Sequence, residues 1–160
     1  MRVLVIEDNH SKLKQITVFM KKEYPDASIH DALSYTAGLR RIYDEDWDLL
    51  LLDMSLPIYD MSQQETGGDK KSIAGKEIMK RMIYRKKIIP TIVITQFDTF
   101  GENELSINTL NKQFAENLSE VWRGTVNYED STNKWMIDLK KLLDEVFKES
   151  SDDKDISSWW

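Results

Sequence analysis

The stretch Asp48-Leu-Leu-Leu-Leu-Asp53 places four leucines in a row between two aspartates. A second apolar run, Val3-Leu-Val-Ile6, lies near the start of the chain and ends in the acidic pair Glu7-Asp8. Short, continuous apolar runs are typical of strands buried on both faces of a sheet. Acids at the ends of two such strands would cluster at one edge of the sheet, where their repulsion is costly unless a cation compensates it or they share a proton. The pattern therefore predicts a divalent-metal site or carboxylate chemistry at that edge.

The composition predicts one soluble globular domain. The chain has 160 residues, of which 41% are hydrophobic and 31% are charged, with a net charge of −6. It contains no cysteine, which excludes disulfides, thiolate catalysis and zinc–thiolate sites. No apolar stretch approaches the roughly 18 residues that span a bilayer, and the N-terminus turns acidic too soon for a secretory signal. We therefore expect a cytoplasmic protein with no membrane association and no nucleic-acid partner, since no dense basic run appears beyond Arg81 to Lys87.

Apolar strand patterns alternate with helical patterns five times along the chain. Continuous apolar strands separated by helices predict a parallel sheet covered by helices on both faces. Asn9 and Ser34 are positioned to cap the first two helices, and the fourth helix is expected over residues 103–121. Ligands of such sheets bind beyond the carboxyl ends of the strands, which is where the acids and Thr95 are expected to lie.

Two segments depart from an economical version of this plan. Residues 58–74 form a long polar link after the strand that ends at Asp53, longer than the usual strand-to-helix loop. Residues 149–160 are acidic and poor in apolar residues, so we expect them to be disordered. The predicted domain is therefore residues 1–148, with the 58–74 loop inserted in it and no second domain.

Three motifs in this order resemble those of the response-regulator receiver domain of two-component signalling. They are the first strand ending in Glu7-Asp8-Asn9, the run from Asp48 to Pro57, and Pro90-Thr-Ile-Val-Ile-Thr95. The similarity extends from Arg2 to Phe147, nearly the whole chain. It implies a flavodoxin-like (βα)5 fold, an α/β three-layer sandwich around a parallel five-stranded sheet of order 2-1-3-4-5.

The resemblance assigns a role to each residue at the strand ends. Asp53 matches the aspartate that accepts the phosphoryl group, and Thr95 matches the hydroxyl residue that bonds to that group and switches the domain. Glu7 and Asp8 match the acidic pair that holds Mg²⁺, with Asp53 and the backbone carbonyl of Ser55 as further metal ligands. Magnesium prefers hard oxygen ligands of this kind, and a carboxylate that attacks phosphorus forms an acyl phosphate.

The resemblance further implies a stand-alone receiver that signals through protein–protein contacts. A histidine kinase or phosphotransfer protein would donate the phosphoryl group to Asp53, and a downstream protein would bind the result. The chain would not be an enzyme beyond its own phosphorylation, and it could form a homodimer. A small phosphatase with Asp53 as nucleophile is a third class. The second aspartate of the haloacid dehalogenase pattern would fall at Ser55, which argues against that class.

The sequence departs from the family at the end of the fifth strand. The family places a lysine there, followed by proline, and its ammonium pairs with the acceptor carboxylate or the phosphoryl group. Here Asn127 or Tyr128 takes that position, and neither side chain is a cation. The alternative function is therefore a pseudo-receiver that signals without phosphorylation, with the 58–74 loop and Trp159-Trp160 as partner contacts. The aromatic residue of the family's switch could be Phe97, Phe100 or Tyr128.

Overall fold

The computed structural model describes residues 1–60, 70–96, 99–100 and 105–157. Five strands of the described residues form one sheet, and they are β1 (Arg2–Ile6), β2 (Ser28–Ala32), β3 (Leu49–Leu52), β4 (Thr91–Thr95) and β5 (Trp122–Asn127). Five helices alternate with these strands, and they are α1 (His10–Glu23), α2 (Tyr35–Asp44), α3 (Ala74–Tyr84), α4 (Ile107–Asn117) and α5 (Lys134–Ser157).

The sheet is parallel throughout, with strand order β2-β1-β3-β4-β5. Each strand is followed by a helix, because parallel neighbours must be joined by a crossover connection. The flavodoxin-like (βα)5 architecture and the order 2-1-3-4-5 that the sequence predicted are therefore confirmed. The strand order changes direction at β1 and β3, and because these neighbours are parallel, their carboxyl ends lie side by side at one edge of the sheet.

The four leucines of β3 bury both faces of the sheet. Leu50 and Leu52 belong to an apolar cluster with α2, α3 and α4, while Leu49 and Leu51 belong to a second cluster with α1 and α5. Successive side chains of a strand point to opposite faces, so a central strand between two helical layers must be apolar at every position. All four are fully buried, which accounts for the uninterrupted run and confirms the three-layer sandwich.

The helix caps that the sequence predicted for α1 and α2 are confirmed. Asn9 Oδ1 accepts a hydrogen bond from the Lys12 N–H at 3.0 Å, and Ser34 Oγ accepts one from the Ala37 N–H at 3.1 Å. Each bond satisfies a backbone donor that the first turn of a helix leaves without an intrahelical partner.

The prediction of a helix over residues 103–121 is wrong at both ends. Helix α4 starts after Ser106, whose hydroxyl accepts a hydrogen bond from the Thr109 N–H at 3.1 Å, and it ends at Asn117. The apolar pattern continued further because Leu118 and Val121 are buried in the connection to β5. A buried loop residue and a buried helix residue give the same signal to a periodicity argument.

Two pairs of two-residue strands lie outside the main sheet. Leu56–Pro57 pairs with Lys70–Lys71, and Thr99–Phe100 pairs with Leu105–Ser106. Both pairs are antiparallel, and the first brings Pro57, just before the predicted 58–74 loop, next to Lys70 within it. Residues 61–69 of that loop lie outside the described part of the chain.

Helix α5 continues beyond the predicted end of the domain at residue 148. It runs to Ser157, through most of the 149–160 segment for which the sequence predicted disorder. Extending a helix costs less free energy than starting one, so polar residues can continue the helical backbone of a packed segment. Although α5 has 24 residues, neither it nor another helix of the described residues is long and apolar enough to cross a membrane.

Candidate functional site

Backbone hydrogen bonds carry the strand pairing past the ends of β1 and β3. The Asp53 N–H donates to the Ile6 carbonyl at 3.0 Å, and the Glu7 N–H donates to the Ala32 carbonyl at 3.0 Å. The backbones of both acids are thereby hydrogen-bonded to neighbouring strands of the sheet. The Glu7 side chain is 2% exposed and the Asp53 side chain is 5% exposed. Two carboxyl groups are therefore held next to each other and away from water.

Three acids converge at this edge of the sheet. Glu7, Asp8 and Asp53 each offer a carboxylate oxygen, and these oxygens lie within 4.8 Å of one another. Asp8 is half-buried, so the group is open to solvent on one side. Hard carboxylate oxygens at this separation fit Mg²⁺, which takes one or two carboxylates and keeps several waters. The three acids that the sequence predicted as metal ligands are thus brought together by the fold.

Ser55 and Thr95 lie at the margins of this acid cluster. Ser55 is buried two residues beyond Asp53, just before the short strand that begins at Leu56. Thr95 is the last residue of β4 and is 1% exposed, and its carbonyl accepts a hydrogen bond from the Tyr128 N–H at 2.8 Å. Both residues therefore stand at the edge where the sequence expected them, next to the strand that carries Asp53.

A lysine that the sequence analysis did not single out occupies the centre of the site. The Lys12 ammonium lies 2.7 Å from Glu7 Oε2 and 3.3 Å from Asp53 Oδ1, and it donates a hydrogen bond to the Ile94 carbonyl at 2.7 Å. The side chain is only 2% exposed. Lysine is almost never fully buried unless it is paired, and here two carboxylates and a carbonyl pair with it.

The first turn of α1 directs Lys12 toward the strand ends. Asn9 caps the helix and also donates its N–H to Glu7 Oε1 at 3.0 Å, which ties the helix start to the acid cluster. Lys12 is three residues past the cap, and Cα–Cβ bonds of a helix tilt toward its N-terminus. The side chain therefore points back over the carboxyl edge.

Lys12 also left a signal in the sequence. Lys12, Ile16 and Phe19 follow helical spacing, and all three are buried, so the lysine stands on the apolar face of α1. A charged residue at a core-facing position of an amphipathic helix needs a buried partner. That argument would have connected Lys12 with an acid at the sheet edge.

Burial and mutual repulsion change the ionisation of the two innermost acids. Burial, together with the charge of Asp53, raises the pKa of Glu7 to about 7, against an opposing effect of Lys12. Burial also raises the pKa of Asp53, although Lys12 and the Met54 N–H favour its ionised form. Because the two groups are coupled, the proton belongs to the pair. The Glu7–Asp53 pair therefore holds a proton more tightly than two exposed carboxyl groups would when no divalent cation compensates it.

The loop after Asp53 is held against the start of α3. The Met54 N–H donates to Asp53 Oδ1 at 2.8 Å, and the Gly75 N–H donates to the Met54 carbonyl at 3.0 Å. A Cβ on Gly75 would lie 2.9 Å from the Asp53 carbonyl oxygen, closer than side chains tolerate. Glycine at this position therefore allows α3 to approach the backbone of Asp53.

The end of β5 contributes an aromatic side chain in place of a cation. Asn127 is exposed, whereas Tyr128 is buried and its ring packs against Trp135 with centroids 5.1 Å apart. The Lys12 ammonium lies 5.7 Å from the centroid of the Tyr128 ring. Tyr128 thus faces the site from the strand end where the family has its lysine. Of the other two predicted switch aromatics, Phe97 and the side chain of Phe100 lie outside the described residues.

Comparison with known proteins finds a response regulatory protein among the relatives and receiver domains among the structural neighbours. No family model matches the chain. It is 25% identical over 150 residues to the Detocs response regulatory protein DtcB of Enterobacter cloacae (strain JD6301), an alignment that covers 91% of this chain and 100% of the relative.

Among solved structures, the CheY-like response regulator receiver domain protein from Methanospirillum hungatei JF-1 superposes with a TM-score of 0.60 at 20% identity, over 92% of this chain and 97% of that one. The response regulator TrrA from Thermotoga maritima, in complex with Mg(2+)-BeF, superposes with a TM-score of 0.55 at 17% identity, over 88% and 97%. The chain therefore has the fold of response-regulator receiver domains, and its sequence is similar to that of a response regulatory protein.

Proposed function

We propose that this receiver domain accepts a phosphoryl group on Asp53 with Mg²⁺ and signals through protein–protein contacts. The observation that carries the proposal is the cluster of Glu7, Asp8 and Asp53, with carboxylate oxygens within 4.8 Å at the carboxyl edge of a parallel sheet. A structural neighbour crystallised with Mg(2+)-BeF supports the same chemistry, since it has the same fold. The phosphoryl donor would be a histidine kinase or a phosphotransfer protein.

Asp53 is suited to the role of acceptor by its position. Its backbone is fixed by the hydrogen bond to Ile6, so the carboxylate is held in one place for an in-line attack. One carboxylate oxygen forms a bond to phosphorus while the bond between phosphorus and the donor breaks, and the donor leaves with that electron pair. The product is an aspartyl phosphate, a mixed anhydride that is formed by nucleophilic catalysis.

Glu7 and Asp8 are the residues that would hold Mg²⁺, together with Asp53 and the Ser55 carbonyl. Bound Mg²⁺ supplies positive charge that neutralises the transferring phosphoryl group. Both Glu7 oxygens already have partners, since Oε1 accepts the Asn9 N–H and Oε2 pairs with Lys12. Asp8 is the most exposed of the three acids, so a hydrated cation can reach it most easily from the solvent.

Thr95 is the residue that would report phosphorylation to the rest of the domain. Its hydroxyl can donate a hydrogen bond to a phosphoryl oxygen, and its carbonyl is already bonded to the N–H of Tyr128. A movement of Thr95 toward Asp53 would therefore also displace the backbone of Tyr128 at the end of β5. Local charge changes with such a connection are how phosphorylation alters a distant surface.

The alternative of a pseudo-receiver rested on the missing cation at the end of β5. Lys12 supplies a buried cation to the same group of acids, so this reason for expecting an inactive site loses most of its weight. The contacts that the pseudo-receiver would use, the 61–69 part of the loop and Trp159-Trp160, lie outside the described residues.

The test is phosphorylation of the whole chain with acetyl phosphate and Mg²⁺, followed by intact-mass measurement. We expect one added phosphoryl group in the wild type, none in Asp53→Asn, and none when EDTA replaces Mg²⁺. Asp48→Asn is a matched control, because it makes the same change at the opposite end of the same apolar run, where Asp48 bonds to the Arg2 N–H at the surface. An unmodified wild type that also fails to bind beryllofluoride would refute the proposal and favour the pseudo-receiver.

A further inference from the structure

We propose that Lys12, on the first turn of α1, is the cation that pairs with the acceptor carboxylate and with the phosphoryl group, in the role that the family gives to a lysine on the fifth strand. The inference rests on the proposed function, because it assigns a partner to the phosphoryl group of Asp53. It adds a residue that neither the motifs nor the relatives' names point to.

The contacts of Lys12 are those of a built site. The Lys12 ammonium donates a hydrogen bond to the Ile94 carbonyl at 2.7 Å and forms ion pairs with Glu7 Oε2 at 2.7 Å and with Asp53 Oδ1 at 3.3 Å. The longest of the three contacts is the one to Asp53. The ammonium can therefore move toward an anion on Asp53 while the carbonyl of Ile94, next to Thr95 in β4, holds its other side.

The position of Lys12 is fixed by packing as well as by charge. Its stem is buried on the apolar face of α1, and its ammonium lies 5.7 Å from the ring centroid of Tyr128. Tyr128 stands at the end of β5, where the family motif has its lysine. In this chain the ammonium comes from Lys12 on α1, and β5 contributes an aromatic ring beside it.

A competing role for Lys12 is purely structural, as a counter-ion that only keeps Glu7 and Asp53 together. The two roles predict different changes when the charge is removed by Lys12→Met, which keeps the length of the stem. A structural counter-ion would be needed for the folded site, so its loss would weaken the binding of every ligand. A phosphoryl partner repels Mg²⁺ and attracts the anion, so its loss would tighten Mg²⁺ binding and weaken binding of the anion.

The experiment measures two affinities on the full chain. Mg²⁺ is titrated alone, and beryllofluoride is titrated at saturating Mg²⁺, in the wild type, Lys12→Met and Lys12→Arg; a surface change, Lys14→Met, is the control. For Lys12→Met we expect unchanged or tighter Mg²⁺ binding and about tenfold to hundredfold weaker beryllofluoride binding, the loss that removal of a hydrogen bond to a charged group produces. Lys12→Arg keeps the charge and should retain more of the beryllofluoride affinity than Lys12→Met.

A second variant tests whether the charge can be moved. Lys12→Met combined with Tyr128→Lys places an ammonium at the end of β5, and we expect it to recover part of the beryllofluoride affinity and of the acetyl phosphate reaction rate. Equal beryllofluoride affinity in the wild type and Lys12→Met would overturn the role of Lys12 while leaving Asp53 as acceptor. Parallel loss of both affinities in Lys12→Met, with no recovery in the double variant, would show the structural role and also overturn it. If the wild type binds no beryllofluoride and takes no phosphoryl group, the proposed function fails and this inference fails with it.

Discussion

The buried proton of the Glu7–Asp53 pair predicts that the metal-free domain loses stability as the pH rises. The pKa of Glu7 is about 7 in the folded chain, above its ordinary value of 4.5. Between these values the folded chain holds a proton that the unfolded chain has released. The contribution of Glu7 to the free energy of unfolding is therefore fully present below pH 4.5 and is lost as the pH rises through 7.

The magnitude follows from the two pKa values of that carboxyl group. Between pH 5 and pH 8 the linkage relation gives a loss of about 2–3 kcal/mol in the free energy of unfolding. The Glu7 side chain is 2% exposed, so solvent screening does little to reduce this figure. Since marginal domains are stable by about 5–15 kcal/mol, such a loss is well within measurement.

The assay is urea unfolding in EDTA at several pH values from 5 to 8, in the wild type and in Glu7→Gln. Glutamine has the shape of the protonated acid and does not ionise, so the variant should show a much flatter dependence on pH than the wild type. Saturating Mg²⁺ should restore most of the wild-type loss at pH 8, because a ligand that binds only the folded chain stabilises it. Parallel curves for the two proteins in EDTA would refute the assignment of the proton to this pair.

Three further predictions concern the same site and its supports. Protons compete with the metal for Glu7, whose pKa is about 7, so the apparent affinity for Mg²⁺ should be about tenfold weaker at pH 6 than at pH 8. Fluorescence or calorimetric titration measures this affinity, and Asp8→Asn should abolish the saturable Mg²⁺ signal at both pH values. Gly75→Ala should destabilise the domain by about 1–3 kcal/mol in urea, because its Cβ would meet the backbone carbonyl of Asp53 at 2.9 Å. Gly38→Ala should cost less, because its Cβ would meet side-chain atoms of Ile6, the nearest at 2.7 Å, and no backbone atom. Trp47→Phe should lower the free energy of unfolding by about 1–3 kcal/mol, because Trp47 Nε1 donates a hydrogen bond to the Arg41 carbonyl at 2.8 Å and its ring lies 4.4 Å from the guanidinium of Arg2. A change below the error of the urea unfolding curves would contradict that reasoning.

The features that could be predicted from the sequence are those set by neighbouring residues along the chain. The leucines of β3 show the demand for apolar side chains on both faces, and Asn9 and Ser34 cap helices that begin one residue later. Acids at strand ends then meet because parallel strands present the same end to the same edge. The bounds of α4 could not be predicted in this way, because Leu118 and Val121 are buried by the tertiary fold outside a helix.

The cation of the site illustrates the same limit more sharply. The end of the fifth strand carries Asn127 and Tyr128, neither of which is a cation. Yet the acids require positive charge at a place in space, and the carboxyl edge of the sheet is reached by the first turn of α1 as well as by the end of β5. Lys12 meets that requirement because Asn9 fixes where α1 begins, and the tilt of helical side chains carries the ammonium back to Glu7. A cation that is absent from the end of β5 can therefore come from any element that ends at the same edge, and a lysine on the apolar face of α1 meets the requirement here.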